Sequence, residues 1–171
     1  LSAPLQAQGE LYRQDTLATG AQRDVAEGRV AWRRDALTTH AGVRMAHDEY
    51  GDGTQLESRQ LIGGVAYDML DRKLTLKAGA EIDLSGNGGE SVDFPDRYKL
   101  GADYKLTEQT ALFAEQEFAR GDKLSADTTR VGLRTKPWSG GEMAASVGND
   151  ILNDAGRLFA SLGLTQNWQV N

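Results

Sequence analysis

The feature that most constrains this chain is a strict two-residue alternation between Arg97 and Arg120. Tyr98, Leu100, Ala102, Tyr104 and Leu106 fall on one side of an extended chain, and Arg97, Lys99, Gly101, Asp103 and Lys105 fall on the other. After a short polar break, Leu112, Ala114 and Phe118 oppose Glu115 and Glu117, with Phe113 and Gln116 interrupting the contrast. A helix cannot sort apolar from charged side chains at this spacing, because its period is 3.6 residues rather than 2. The stretch predicts two antiparallel strands joined by a tight turn, one face apolar and the other charged.

The pattern recurs along the chain. Ala26, Gly28, Val30 and Trp32 oppose Glu27, Arg29, Ala31 and Arg33, and Thr39, Ala41, Val43 and Met45 oppose Thr38, His40, Gly42 and Arg44. Leu61, Gly63, Val65, Tyr67 and Met69 form the next apolar row, continued after Asp71-Arg72-Lys73 by Leu74, Leu76, Ala78, Ala80, Ile82 and Leu84. A further hairpin turns at Pro137-Trp138-Ser139-Gly140-Gly141, and a last strand covers Leu158 to Val170. With a first strand over Gly9 to Leu17, the count is ten. Corresponding segments at Arg29-Val30-Ala31-Trp32, Gly64-Val65-Ala66-Tyr67, Gly101-Ala102-Asp103-Tyr104, Gly132-Leu133-Arg134-Thr135 and Gly163-Leu164-Thr165-Gln166 return at roughly 31 to 37 residues, which is one hairpin plus one loop. That unit is too short for a four-stranded propeller blade.

Tight connections near residues 35, 72, 108 and 139 alternate with longer polar ones near 20, 52, 90, 124 and 153, the second read as a loop over His47 to Gly53 and the last as a loop over Asn149 to Gly156. Short turns on one rim and long loops on the other predict an antiparallel up-and-down transmembrane β-barrel, all-β, of about ten strands built from repeated hairpins. The strands, about 10 to 13 residues long, can cross a bilayer when tilted. Residues 1–171 form a single barrel domain in this reading, which allows for a segment of a longer surface protein.

The charged faces bring together Arg29, Arg33, Arg44, Lys77, Glu81, Arg97, Lys99, Asp103, Glu115, Glu117, Arg130, Arg134 and Glu142, of both signs, as a self-neutralising lumen network. Trp32, Tyr67 and Tyr104 precede successive tight turns, with Trp138 and Trp168 near the same level, and predict an interfacial aromatic girdle. Glycines at 42, 64, 79, 101, 132, 148 and 163 all lie on the charged face, where a narrow barrel is crowded.

Composition removes other classes. The chain has no cysteine, so disulfides and thiolate metal sites are excluded. Its net charge of -6 gives no basic face for nucleic acid. No run of about 18 apolar residues is present for a membrane-spanning helix, which leaves a spanning barrel open.

Over residues 9 to 170 the chain resembles the outer-membrane β-barrels of Gram-negative bacteria. The resemblance implies location in the bacterial outer membrane, contact with outer-membrane lipid and insertion by the barrel-assembly machinery. It departs from the resemblance at its end, where Trp168-Gln169-Val170-Asn171 lacks a terminal aromatic residue. Ten strands leave an interior mostly filled by side chains, so the expected role is a non-enzymatic, monomeric membrane anchor or display barrel with a filled polar lumen. Two alternatives stand beside it: a small pore or translocator, and a soluble β-repeat binding or adhesion module.

Reactive chemistry is sparse. His47-Asp48 lacks the second acidic pair of a barrel protease, and His40 falls on the polar face. The acidic stretches Asp48 to Asp52 and Asp83 to Asp96 lack EF-hand spacing, so no catalytic residue, metal or cofactor is expected.

Overall fold

The computed structural model describes residues 5–16, 20–85, 94–121, 125–153 and 155–167. Ten strands form one antiparallel sheet in chain order. They are β1 (Leu5–Thr16), β2 (Ala21–Arg34), β3 (Leu37–Glu49), β4 (Gln55–Met69), β5 (Leu74–Asp83), β6 (Asp96–Lys105), β7 (Thr110–Arg120), β8 (Ser125–Thr135), β9 (Gly141–Leu152) and β10 (Ala155–Gln166). The fold is the all-β, up-and-down arrangement that the alternation predicts. Among the described residues no ladder joins β1 to β10, which are the two ends of the sheet.

The faces divide as the two-residue period requires. Val30, Val43, Met45, Leu61, Val65, Tyr67, Leu76, Leu100, Leu112, Val131 and Val147 are exposed on one face. On the other, Val25, Ala46, Ile62 and Phe113 are buried beside the polar Asp48, Ser58, Gln60, Glu81 and Ser146. The buried face is concave: one cavity of about 610 Å³ is lined by residues from Arg29 on β2 to Arg130 on β8. The sheet is thus inside out relative to a water-soluble sandwich, whose apolar face would be the covered one.

Strand register shows a steady tilt. The hydrogen-bonded row from Trp32 runs through Thr39, Val65, Ala78, Leu100, Gln116, Thr129 and Asn149 to Leu158. It begins beside a short turn and ends near the opposite rim. A row perpendicular to the strands climbs in this way only if the strands are inclined to the axis of the curled sheet.

The short-turn rim agrees with the sequence, with Asp35 and Leu70-Asp71-Arg72 at positive φ. The other rim is tighter than the polar composition suggests. His47-Asp48-Glu49 belongs to β3, and the β3–β4 connection is only 50–54. There Gly53 has φ 83° and its N–H donates to the Tyr50 carbonyl. The Thr54 backbone N–H donates to the Asp52 carboxylate at 2.9 Å and holds its pKa below the usual range. Asn149 to Leu152 is likewise strand rather than loop, leaving 153–154 as the β9–β10 connection. Asp150 in this strand end accepts from the Thr128 hydroxyl at 2.9 Å and from Arg157. The first strand starts at Leu5, four residues earlier than the alternation indicated.

Glycines on the concave face make room for flat side chains on the facing strand. Gly132 pairs with Phe113, whose ring lies across it: a Cβ at 132 would sit 2.6 Å from that ring and also meet the Ala145 carbonyl. Gly64 does the same beneath His40, its partner across the ladder. Gly132→Val is expected to lower stability by about 1–3 kcal/mol, whereas Gly28→Ala, which has open space at its Cβ, is expected to change little. The temperature at which the folded gel band converts to the unfolded one measures both.

Candidate functional site

The concave surface is built by strands whose inward side chains, at every second residue, include most of the charged groups between the rims. Because neighbours are antiparallel and staggered, opposite charges from adjacent strands meet. Two clusters result. In the first, Glu27 on β2 takes Arg29, its strand neighbour, and Arg44 on β3, the latter at 2.7 Å. Arg44 reaches on to Glu81 on β5 at 3.5 Å, and Glu81 also holds Lys99 at 2.9 Å and Arg97 at 3.8 Å. Glu117 on β7 accepts the same two cations, at 3.7 Å from Arg97 and 3.8 Å from Lys99.

The second cluster lies nearer the short turns. Asp103 on β6 pairs with Lys77 on β5 and, at 2.8 Å, with Arg134 on β8. Arg134 spans β7 to do so, stacking on the Phe113 ring at 4.0 Å and holding Glu115 at 2.9 Å. Glu115 also receives Arg130.

Charge is not balanced in either cluster. Four cations share three carboxylates in the first, and three cations share two in the second. Each cluster thus carries an excess of positive charge in a chain whose net charge is -6. Arg29, Arg44, Lys77, Arg97, Lys99 and Arg130 all line the cavity, against Glu81, Glu115 and Glu117.

Two residues of the expected set stand apart. Arg33 is paired with Asp68 at 3.6 Å near the short-turn rim. Glu142 is exposed at that rim, and no ion pair holds it among the described residues. Sequence reasoning did not single out Glu27, Gln60 or Phe94. Glu27 stands directly opposite Arg44 across the ladder, a signal that requires the register. Gln60 is 1 % exposed and accepts from Arg44 at 3.3 Å. Phe94 is buried although it precedes Pro95 in a polar connection.

On the convex face, charge is confined to the rims. Between Ala26 and Trp32, Thr39 and Met45, Leu61 and Met69, and Tyr98 and Tyr104, no outward residue is charged. Trp32, Tyr67, Tyr104 and Trp138 are exposed at the short-turn end of this band. Trp168 lies outside the described residues. The opposite end is marked by a row of Arg13, Asp24, His47 and Glu57, in register across β1 to β4. Arg13 grips Asp24 with two hydrogen bonds, at 2.6 and 2.9 Å. His47 thus points outward while Asp48 points inward to Arg23 at 2.6 Å, so the two do not form a catalytic pair. Among the described residues no group of three His, Asp or Glu side chains is placed to hold a metal.

These features define a porin-like β-sheet: inclined antiparallel strands, an apolar outer band and a charged inner wall. Among solved structures, one described as a KdgM porin is similar, with a TM-score of 0.59 over 95% of this chain and 92% of that chain, at 11% identity. That likeness shows the fold. No protein-family profile matches the chain, and no curated protein sequence does.

Glu81 is the carboxylate on which three cations converge. Glu81→Gln, nearly equal in volume, is expected to cost about 2 kcal/mol, read as an earlier thermal conversion of the folded band. Asp24→Asn, at the exposed outer pair, is expected to leave the conversion temperature nearly unchanged.

Proposed function

We propose that this chain is a bacterial outer-membrane barrel enclosing a narrow polar passage that favours anions. The observation that carries the reading is the charge imbalance around an unfilled cavity of about 610 Å³. A wall with more guanidinium and ammonium groups than carboxylates lowers the energy of an anion and raises that of a cation, most strongly where water is scarce. The carboxylates orient the cations without cancelling them. The structural likeness to a porin supports a passage over the side-chain-filled anchor that strand number alone suggests.

The membrane part of the reading rests on the outer band. From Trp32 to Asp24 on β2, and from Tyr67 to Arg59 on β4, the uncharged stretch measures about 20 Å along the normal for strands inclined by about 40°. A spanning barrel requires an apolar band of about that height. In this reading the band meets outer-membrane lipid, the assembly machinery inserts the chain, and a monomer suffices. The reading also requires the free edges of β1 and β10 to be closed, by each other or by further strands, since an unpaired edge cannot face hydrocarbon. The soluble-module reading would leave 29 large apolar side chains of the described residues exposed to water.

Refolded protein in planar bilayers under a salt gradient tests the passage. The reversal potential is expected to have the sign of preferential anion flow. Arg97→Glu with Lys99→Glu turns the excess of the first cluster negative and is expected to reverse that sign. Silent bilayers would favour the anchor instead, and cation preference in the unaltered protein would contradict the charge argument.

A further inference from the structure

Phe94 and Pro95 lie just before β6, yet their contacts are on strands far from it. The Phe94 ring is buried in a cluster with Val25 on β2 and Ala46 on β3. Those strands stand three and four ladder steps from β6, roughly 14 to 19 Å along the sheet. Phe94 therefore reaches across the concave face. Gln60 on β4 fixes the crossing by donating its side-chain N–H to the Pro95 carbonyl at 3.1 Å. Asp96 fixes its exit by accepting from the Asp83 backbone N–H at 2.6 Å.

Two guanidinium groups meet the ring, Arg23 and Arg44, each 5.6 Å from its centre. Neither depends on the ring for its place. Arg23 is held by Asp48 through two bonds of 2.6 and 2.8 Å, and Arg44 by Glu27 at 2.7 Å. The arginines also belong to different spaces. Arg44 lines the inner cavity of about 610 Å³, while Arg23 lines a smaller cavity of about 210 Å³ at the rim, with Gln14, Asp48 and Tyr50. The Phe94 ring meets both arginines.

We propose that Phe94 is the partition between this outer vestibule and the inner cavity, and that its ring sets the width of the outer mouth. An uncharged aromatic suits that position. It fills the gap between two arginines through cation–π contact, without a carboxylate that would cancel the positive wall. For its effect on conduction the proposal rests on the passage reading above; for the closure itself it does not.

The chain has no cysteine, so one introduced thiol is the only one. Ala46→Cys places it beneath the ring, at a position 5 % exposed. In the refolded full chain, a small charged thiosulfonate is expected to label Ala46→Cys slowly. Adding Phe94→Ala is expected to speed labelling on the order of tenfold, since access no longer waits for a local opening; Phe94→Tyr, which keeps the ring, is expected to leave it slow. Unheated gel migration checks that each variant is folded. In bilayers, Phe94→Ala alone is expected to raise single-channel conductance by about twofold. Equal labelling rates with and without the ring, in folded protein, would overturn the partition even if the protein conducts. Faster labelling in a protein that never conducts would uphold the partition and contradict the passage.

Discussion

The structure depends on where its charge is placed. Nearly every strand carries charged residues, and almost all between the rims fall on the one face that curls inward. A buried ion pair is tolerable only when its geometry and remaining hydrogen bonds are good, and here neighbouring strands supply the partners. At Glu81 Lys99 donates to one carboxylate oxygen at 2.9 Å, while Arg97 and Arg44, from two different strands, lie at 3.8 and 3.5 Å from the other. A one-residue slip of any ladder would turn these groups outward and the Val, Leu and Tyr rows inward. Face, register and charge pairing thus fix one another.

The inclination of the strands decides which charges meet. Arg134 reaches Asp103 across β7 because the strands are staggered, and it can lie flat there because Phe113 has settled over Gly132. The missing side chain on one strand thus accommodates a ring on the next, and the ring supports a cation that orders two carboxylates. The same stagger spreads seven cations along the wall with five carboxylates between them, leaving space in the middle of the concave face and a positive surplus around it.

Much of this was legible in the sequence because a period of two encodes the face of every residue directly. The rows from Val30, Leu61 and Leu100, the turns at Asp35 and Leu70, and the order of ten strands follow from local pattern. Partners did not follow, since Glu27 meets Arg44 only through a register that depends on the tilt of the whole sheet. Strand ends at the outer rim were misread for a related reason. His47-Asp48-Glu49 and Asn149-Asp150 look like loop by composition, but a strand rising beyond the apolar band can carry polar groups on both faces. Phe94 was hidden because no periodic pattern covers the connection it comes from, and its burial arises from strands far away in the sheet.

The proposed passage depends on an apolar face that meets lipid and a charged face that is enclosed. Single cysteines at successive positions of β4 from Leu61 to Tyr67, each carrying an environment-sensitive fluorophore and read in vesicles with a lipid-dissolved quencher, test it most directly. The account predicts strong quenching at 61, 63, 65 and 67 and weak quenching at 62, 64 and 66. Uniform quenching, or the opposite alternation, would contradict it.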